Sequence, residues 1–345
     1  MQSYSDITKK NRTTMAQDRT KTLRILLTGV NGQLGGKLLP VLREQGEVTA
    51  VGRADCDLTD VGALRQLVRR VAPEVIVNAA AYTRVNDAET NRELAMAVNG
   101  VAPGVLAEEA KQTGALMVHY STDYVFDGSK HGPYTEDDAT EPLNVYGASK
   151  LAGEQAVQAA GGRHLILRTS WVYGATGNNF LLTILRLAAE REELQIVDDQ
   201  VGSPTSTAQL ARATVRLVER YGAAPKAHGV NENATPSGVY HLTAAGSVSW
   251  CGFARAIVAA SVAENPAANV KNELNVRRIV GIPSCEYPAP ARRPLNSVLC
   301  NQKFARTFGF QLEDWPTALA EVMGDLSGVL VGELRGEIRH GQMQG

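Results

Sequence analysis

Apolar positions along the chain come in short unbroken runs set between stretches of helical periodicity. Residues 23–27, 75–77, 116–120 and 164–169 are such runs, and a continuous run of this length reads as a strand buried on both faces of a parallel sheet. Residues 48–51 add a further strand, and 33–45, 64–71, 92–112 and 146–160 read as the intervening helices. Strand alternating with helix in this way predicts an α/β fold, a Rossmann-type doubly wound parallel sheet. Two prolines mark expected irregularities. Pro40 falls inside the first helix, where it removes a hydrogen bond and crowds the Gly36 carbonyl, so a kink or early break is expected there. Pro103 is expected to break or restart the helix over 92–112.

Beyond about residue 175 the rhythm changes. An amphipathic helix over 180–194 is followed by a loop at 200–205, a helix over 207–221, a strand over 239–243 and a helix over 250–264. Residues 279–294 are rich in proline. This predicts a smaller, irregular C-terminal domain closing over the sheet edge, built from 175–206 and 244–326, with parts of 207–243 completing the Rossmann domain of 23–174. Residues 1–22 are polar and basic and read as a disordered tail, and 327–345 as a loose C-terminal tail.

Charge and cysteine usage narrow the function classes. A net charge of −1 gives no basis for binding nucleic acid or an anionic membrane. No apolar run reaches the ~20 residues that span a bilayer. Cys56, Cys251, Cys285 and Cys300 show neither CxxC spacing nor partnering histidines; they read as free thiols of a reducing, cytoplasmic compartment, and no metal site is expected.

Chemistry enters at the strand ends. The first strand feeds Thr28-Gly29-Val30-Asn31-Gly32-Gln33-Leu34-Gly35 and then a helix. Such a turn permits close backbone approach to a dinucleotide pyrophosphate, and the helix N-terminus offers free N–H groups to it. The second strand ends in Val51-Gly52-Arg53. No carboxylate stands there to receive a ribose 2′-hydroxyl, and the Arg53 guanidinium suits a 2′-phosphate, although an ordinary solvated surface arginine is the competing reading. Asp57 and Leu58 follow, within reach of an adenine, and the small Ala79, Ala80 and Ala81 before Tyr82 leave room for a cofactor. Thr122 and Asp123 leave the carboxyl end of another strand, where ligands of open α/β sheets bind. Tyr146 and Lys150 share one face of a helix, a spacing that by itself also fits a plain exposed helix.

Together these segments resemble the extended short-chain dehydrogenase/reductase superfamily, and within it the dTDP-4-dehydrorhamnose reductases. The resemblance rests on Ala79-Ala80-Ala81-Tyr82-Thr83 with Val85, Ser121 to Gly128, Asn144 to Glu154, Arg168 to Tyr173, Asn178-Asn179-Phe180, Asp199-Gln200 through Pro204-Thr205, and Arg292-Arg293-Pro294 with Asn296-Ser297. It covers residues 23–325 in order. It implies reduction of the C4 ketone of dTDP-4-dehydro-L-rhamnose to dTDP-L-rhamnose. Tyr146 is then the proton donor, Lys150 its cationic support and the holder of the nicotinamide ribose, and Thr122 the hydroxyl on the reacting oxygen. A free tyrosine titrates near ~10, and Lys150 with a positive nicotinamide is expected to lower that value. The resemblance further implies that Asp123, Val85 and Trp171 line the sugar pocket, with a core aromatic as the alternative for Trp171. Arg292 and Arg293 are expected at the substrate pyrophosphate or, equally, as surface charges.

Arg53 sets the expected cofactor as NADPH, with NADH as the alternative. Some relatives form a magnesium-bridged dimer through a glutamate just after the glycine turn; Lys37 stands there in this chain, and a cation repels a metal ion. Carboxylates occur farther on at Glu190, Glu192 and Glu193. Monomer and homodimer both remain open. Two other classes compete: a nucleotide-sugar epimerase or dehydratase of the same superfamily, and a non-catalytic subunit resembling the regulatory subunit of methionine adenosyltransferase.

Overall fold

A computed structural model describes residues 22–223, 235–263 and 274–326. The two expected tails lie outside the described residues apart from residue 22. In chain order the first elements are β1 (Leu23–Thr28), α1 (Gln33–Arg43), β2 (Gly46–Val51), α2 (Val61–Val71), β3 (Val75–Asn78), α3 (Val85–Ala88), α4 (Arg92–Met96), α5 (Ala102–Thr113), β4 (Leu116–Thr122), α6 (Val145–Ala160) and β5 (His164–Thr169). The remainder comprises β6 (Val172–Tyr173), α7 (Phe180–Glu190), β7 (Glu193–Val197), β8 (Val201–Gly202), β9 (Thr205–Ser206), α8 (Thr207–Tyr221), β10 (Gly238–His241), β11 (Val248–Ser249), α9 (Trp250–Ala263), β12 (Arg278–Ile282) and α10 (Gln302–Phe308). A last helical stretch covers 315–326.

The six strands of the main sheet run in the order β10-β5-β4-β3-β1-β2, every neighbouring pair parallel. The order reverses between β1 and β3, which opens a crevice at their carboxyl ends, the usual ligand position in such sheets. Strand residues alternate between two cores. Ile25, Leu27, Val75, Val77 and Val118 pack with α1 and α8 on one face, while Leu26, Ile76, Met117 and Ile166 pack with α2 and α5 on the other. Burial on both faces explains why these strands carry no polar alternation.

A third apolar cluster stands apart from the sheet. Tyr173, Leu181, Ile184, Phe253, Ile257, Leu319 and Val322 are its buried members, drawn from β6, α7, α9 and the last helical stretch. Two-stranded pairings β12–β7, β11–β8 and β6–β9 surround it.

Two local expectations are corrected and a third holds. α1 runs unbroken through Pro40 to Arg43: Pro40 is exposed, so the carbonyl it releases faces water, which satisfies it. The amphipathic stretch over 180–194 is divided, with α7 ending at Glu190 and Leu194 lying in β7. The helix over 92–112 is, as expected, broken and re-entered near Pro103: a π-helical turn covers Ala97–Val101, and Pro103 sits in the first turn of α5, where no N–H is needed.

Candidate active site

The glycine turn is shaped by close backbone contacts. Gly29 adopts φ 74°, and a Cβ on it would lie 2.6 Å from the Ala80 backbone; a Cβ on Gly35 would overlap the Gly29 carbonyl. β1, β3 and α1 therefore converge more tightly than any larger side chain permits. No side chain caps α1, and the first-turn amides of Gln33, Leu34 and Gly35 have no intrahelical acceptor. Gln33 and Leu34 face a cleft of about 560 Å³ whose lining also includes Gly29, Gly32, Arg53, Asp57, Leu58, Ala79, Ala80, Ala81, Tyr82, Tyr146 and Lys150. Gly35 lies beneath this surface as a packing residue. Arg53 is 81% exposed, with Nε 4.0 Å from Asp57 Oδ2. A carboxylate does occur at that turn, contrary to expectation, because Asp55 folds back to accept from the Gly52 N–H at 2.8 Å.

At the far end of the cleft, α6 delivers Tyr146 and Lys150. Asn144 caps this helix, accepting from Gly147 N at 2.8 Å, and its amide donates to the Arg292 carbonyl at 2.8 Å. Lys150 is buried, and Nζ donates to the Tyr120 carbonyl at 2.6 Å. An ammonium has three donors, so two remain for a ligand. Tyr146 faces Thr122, whose hydroxyl favours the phenolate, and Thr122 Oγ1 donates to Asp123 Oδ1 at 2.9 Å. Tyr124 packs edge-on against Tyr146, ring centroids 5.8 Å apart.

Electrostatics correct one expectation. Burial pushes the Tyr146 phenol up to about 12; the Thr122 hydrogen bond opposes this and the Asp123 carboxyl adds to it. The direction is the reverse of the predicted lowering, because enclosure of the hydroxyl disfavours its charged form. Burial also draws Lys150 down to about 8, with Glu154 holding it up. Asp123 is 2% exposed, and burial raises it to about 7 against hydrogen bonds that favour the carboxylate. Its Oδ2 makes no hydrogen bond of normal geometry.

The residues expected at the sugar are only partly drawn together. Thr122 and Asp123 adjoin Tyr146. Arg293 Nη2 donates to Asn86 Oδ1 at 3.2 Å, which places it beside Val85, and it also bonds Tyr124. Arg292 is exposed. Trp171 lies on the other side, at φ 47°, stacked on Trp250 at a centroid distance of 3.4 Å and pressed against Gly202. It does not line the cofactor cleft.

Sequence reasoning missed Asn99 altogether, and it missed the contact that Gln33 makes across the cleft mouth. Asn99, in the π turn, accepts from Tyr82 N at 2.8 Å, donates to Tyr82 O at 3.0 Å and reaches Ser149 Oγ at 3.0 Å, joining the β3 loop to α6. Gln33 clamps the loop after β6, donating to Asn178 O at 3.1 Å and accepting from Asn179 Nδ2 at 2.9 Å. The glycine turn and Asn178-Asn179 had been noticed separately; nothing in their spacing showed that they meet.

Comparison with known proteins now decides the family. Residues 23–327 match the model of the RmlD substrate binding domain. The chain belongs to the dTDP-4-dehydrorhamnose reductase family, whose members are NAD(P)H-dependent oxidoreductases. A dTDP-4-dehydrorhamnose reductase of Burkholderia thailandensis is 49% identical over 307 residues, 88% of this chain and 99% of the relative. Among solved structures, a family member from Clostridium acetobutylicum superposes with TM-score 0.78 at 36% identity, covering 88% of this chain and 99% of that one. A Bacillus anthracis reductase in complex with NADP gives 0.77 at 34% identity, covering 88% and 100%. Among the described residues no helix is long and apolar enough to cross a membrane.

Proposed function

We propose that this chain reduces the C4 ketone of dTDP-4-dehydro-L-rhamnose with NADPH, using Tyr146 as proton donor. The observation that carries the residue assignment is the cluster of Tyr146, Thr122 and Asp123, the last two hydrogen-bonded, beside a buried Lys150 at the carboxyl end of β4. The cleft suits the cofactor. Its uncapped helix end and the close approach of Gly29 and Gly35 fit a pyrophosphate, Arg53 fits a 2′-phosphate, and the two spare donors of Lys150 fit ribose hydroxyls. Bound NADPH supplies the hydride.

The protein's part is position and proton. The Thr122 hydroxyl turns its proton from Asp123 to the ketone oxygen, and Tyr146 gives that oxygen its proton as negative charge develops. A phenol held near 12 keeps its proton at neutral pH, which is the form a reduction requires. Lys150 stabilises the phenolate left behind. We assign the sugar nucleotide to the opening between Asp123, Val85, Arg293 and Trp171, and the third apolar cluster with its flanking pairings to a substrate domain. The free thiols of all four cysteines accord with a cytoplasmic enzyme.

The test is loss of NADPH absorbance with dTDP-4-dehydro-L-rhamnose. Turnover by the wild-type chain supports the reading; none, in protein that binds NADPH, favours another sugar nucleotide or the non-catalytic role.

A further inference from the structure

Next to Lys150 lies a buried ion pair that the proposed reaction does not consume. Glu154 is one turn farther along α6. Arg168 of β5 grips it with Nε and Nη2 at 2.9 and 2.7 Å, and the Ser121 hydroxyl donates to the same carboxylate. The two side chains are 1% and 5% exposed. Arg168 also lies 5.1 Å from the Phe126 ring centroid, and its Nη1 is 3.5 Å from His241 Nε2. Buried pairs of this kind are no more stabilising than apolar residues of equal volume, so stability alone does not explain it.

Its connections point to another role. Glu154 touches the helix that carries Tyr146 and Lys150. Through Ser121 it reaches the strand end whose neighbouring residues are Tyr120, the Lys150 acceptor, and Thr122. Through Arg168 it reaches β5, beside the cleft-lining Thr169. Among the ionisable groups here, Tyr146 and Glu154 flank Lys150 on α6, Tyr120 accepts from it through its carbonyl, His119 on β4 feels its charge, Arg168 on β5 holds Glu154, and His241 on β10 touches Arg168. Burial keeps His119 and His241 neutral, the former well below its ordinary value and the latter at about 3. Tyr120 is raised by burial and is neutral too. Glu154 is thus the anion that counters burial of the Lys150 ammonium.

We propose that Glu154 is a positioning residue for Lys150, placing a buried negative charge one turn from it and tying α6 to the end of β4 that holds its ammonium, while Arg168 sets how strongly Glu154 acts. This rests on the assignment of Lys150 as support for Tyr146. Removing the anion leaves Arg168 as an uncompensated neighbouring cation, whereas removing Arg168 leaves Glu154 acting on Lys150 alone. The two losses therefore push the lysine in opposite directions, which a merely structural role does not do.

The experiment is an NMR titration of the Lys150 ε-carbon in full-length protein labelled with ¹³C-lysine and assigned with Lys150→Met, alongside the pH profile of kcat/KM. Glu154→Gln is expected to move the midpoint to lower pH by about one unit, tenfold in proton concentration. Arg168→Gln is expected to move it to higher pH, and the double variant to fall between. Singles that shift the midpoint in the same direction, or leave it in place, overturn the proposal. If Glu154→Gln fails to fold, Arg168→Gln decides, since an unmoved or acid-shifted midpoint overturns the proposal equally. The titration needs no sugar nucleotide, so an error in the substrate leaves this result readable.

Discussion

The Asn99 carbonyl presses against Gly153 so closely that a Cβ at residue 153 would overlap it. The π turn thrusts that carbonyl out of line toward α6, while the Asn99 side chain holds Tyr82 and Ser149. Gly153→Ala is therefore expected to destabilise the chain by about 1–3 kcal/mol, the range for overpacking a close contact. Urea unfolding should show the lower midpoint, and NADPH affinity should fall with it because Tyr82 lines the cleft.

Tyr146→Phe removes the hydroxyl and little else. The expected result is a fall in kcat of about 10²–10⁴, the range for a positioned general acid, with NADPH affinity close to wild type. Equal rates in the two proteins remove Tyr146 from the mechanism.

Asp123 should write its burial into the pH dependence of stability. The folded chain holds this proton up to about 7 against an ordinary value of 3.8. A raised carboxyl contributes stability that is complete below about pH 3.8 and is lost as pH rises through about 7. Asp123→Asn, neutral throughout, should melt higher than wild type at pH 8, by at most about 4 kcal/mol in unfolding free energy. The advantage should vanish near pH 4. An Asn variant that gains nothing at pH 8 contradicts the assignment.

Arg53 is largely exposed, so its substitution should leave folding untouched. Arg53→Ala should lower kcat/KM for NADPH about tenfold or more while changing that for NADH little, as expected for loss of a charge-assisted phosphate contact. A wild-type preference for NADH overturns this reading of Arg53.

Lys37 is engaged with Asp325 at 3.1 Å, and Glu190, Glu192 and Glu193 with Arg186, Arg277 and Arg278. Sedimentation should accordingly be the same with and without a chelator. A dimer that dissociates in chelator refutes this.

Much of the sheet was legible because double burial leaves a plain mark: β1, β3, β4 and β5 are apolar runs with nothing else to be. The helix read over 146–160 starts one residue earlier, at Val145, behind an Asn144 cap. The division of 180–194 was not legible, since Leu194 continues the helical spacing and only the pairing of β7 with β12 removes it from the helix. Of the site, the glycine turn, Tyr146, Lys150 and Thr122 were found by spacing and resemblance. Glu154 and Arg168 escaped as functional candidates because charged residues read as surface until a partner at a distance is known. The direction of the Tyr146 shift was misjudged for a related reason: its neighbours could be read, its enclosure could not.

Trp171 and Trp250 stand 3.4 Å apart with their rings within 3° of parallel. Trp171 belongs to the chain leaving the sheet, and Trp250 opens a helix of the third apolar cluster. Two indoles so placed couple their electronic transitions, which splits their near-ultraviolet circular dichroism into a signed pair. Any rearrangement that slid one ring past the other would collapse that pair while leaving the backbone signal intact. The protein thus carries an optical gauge of how these two rings are stacked, readable without a label.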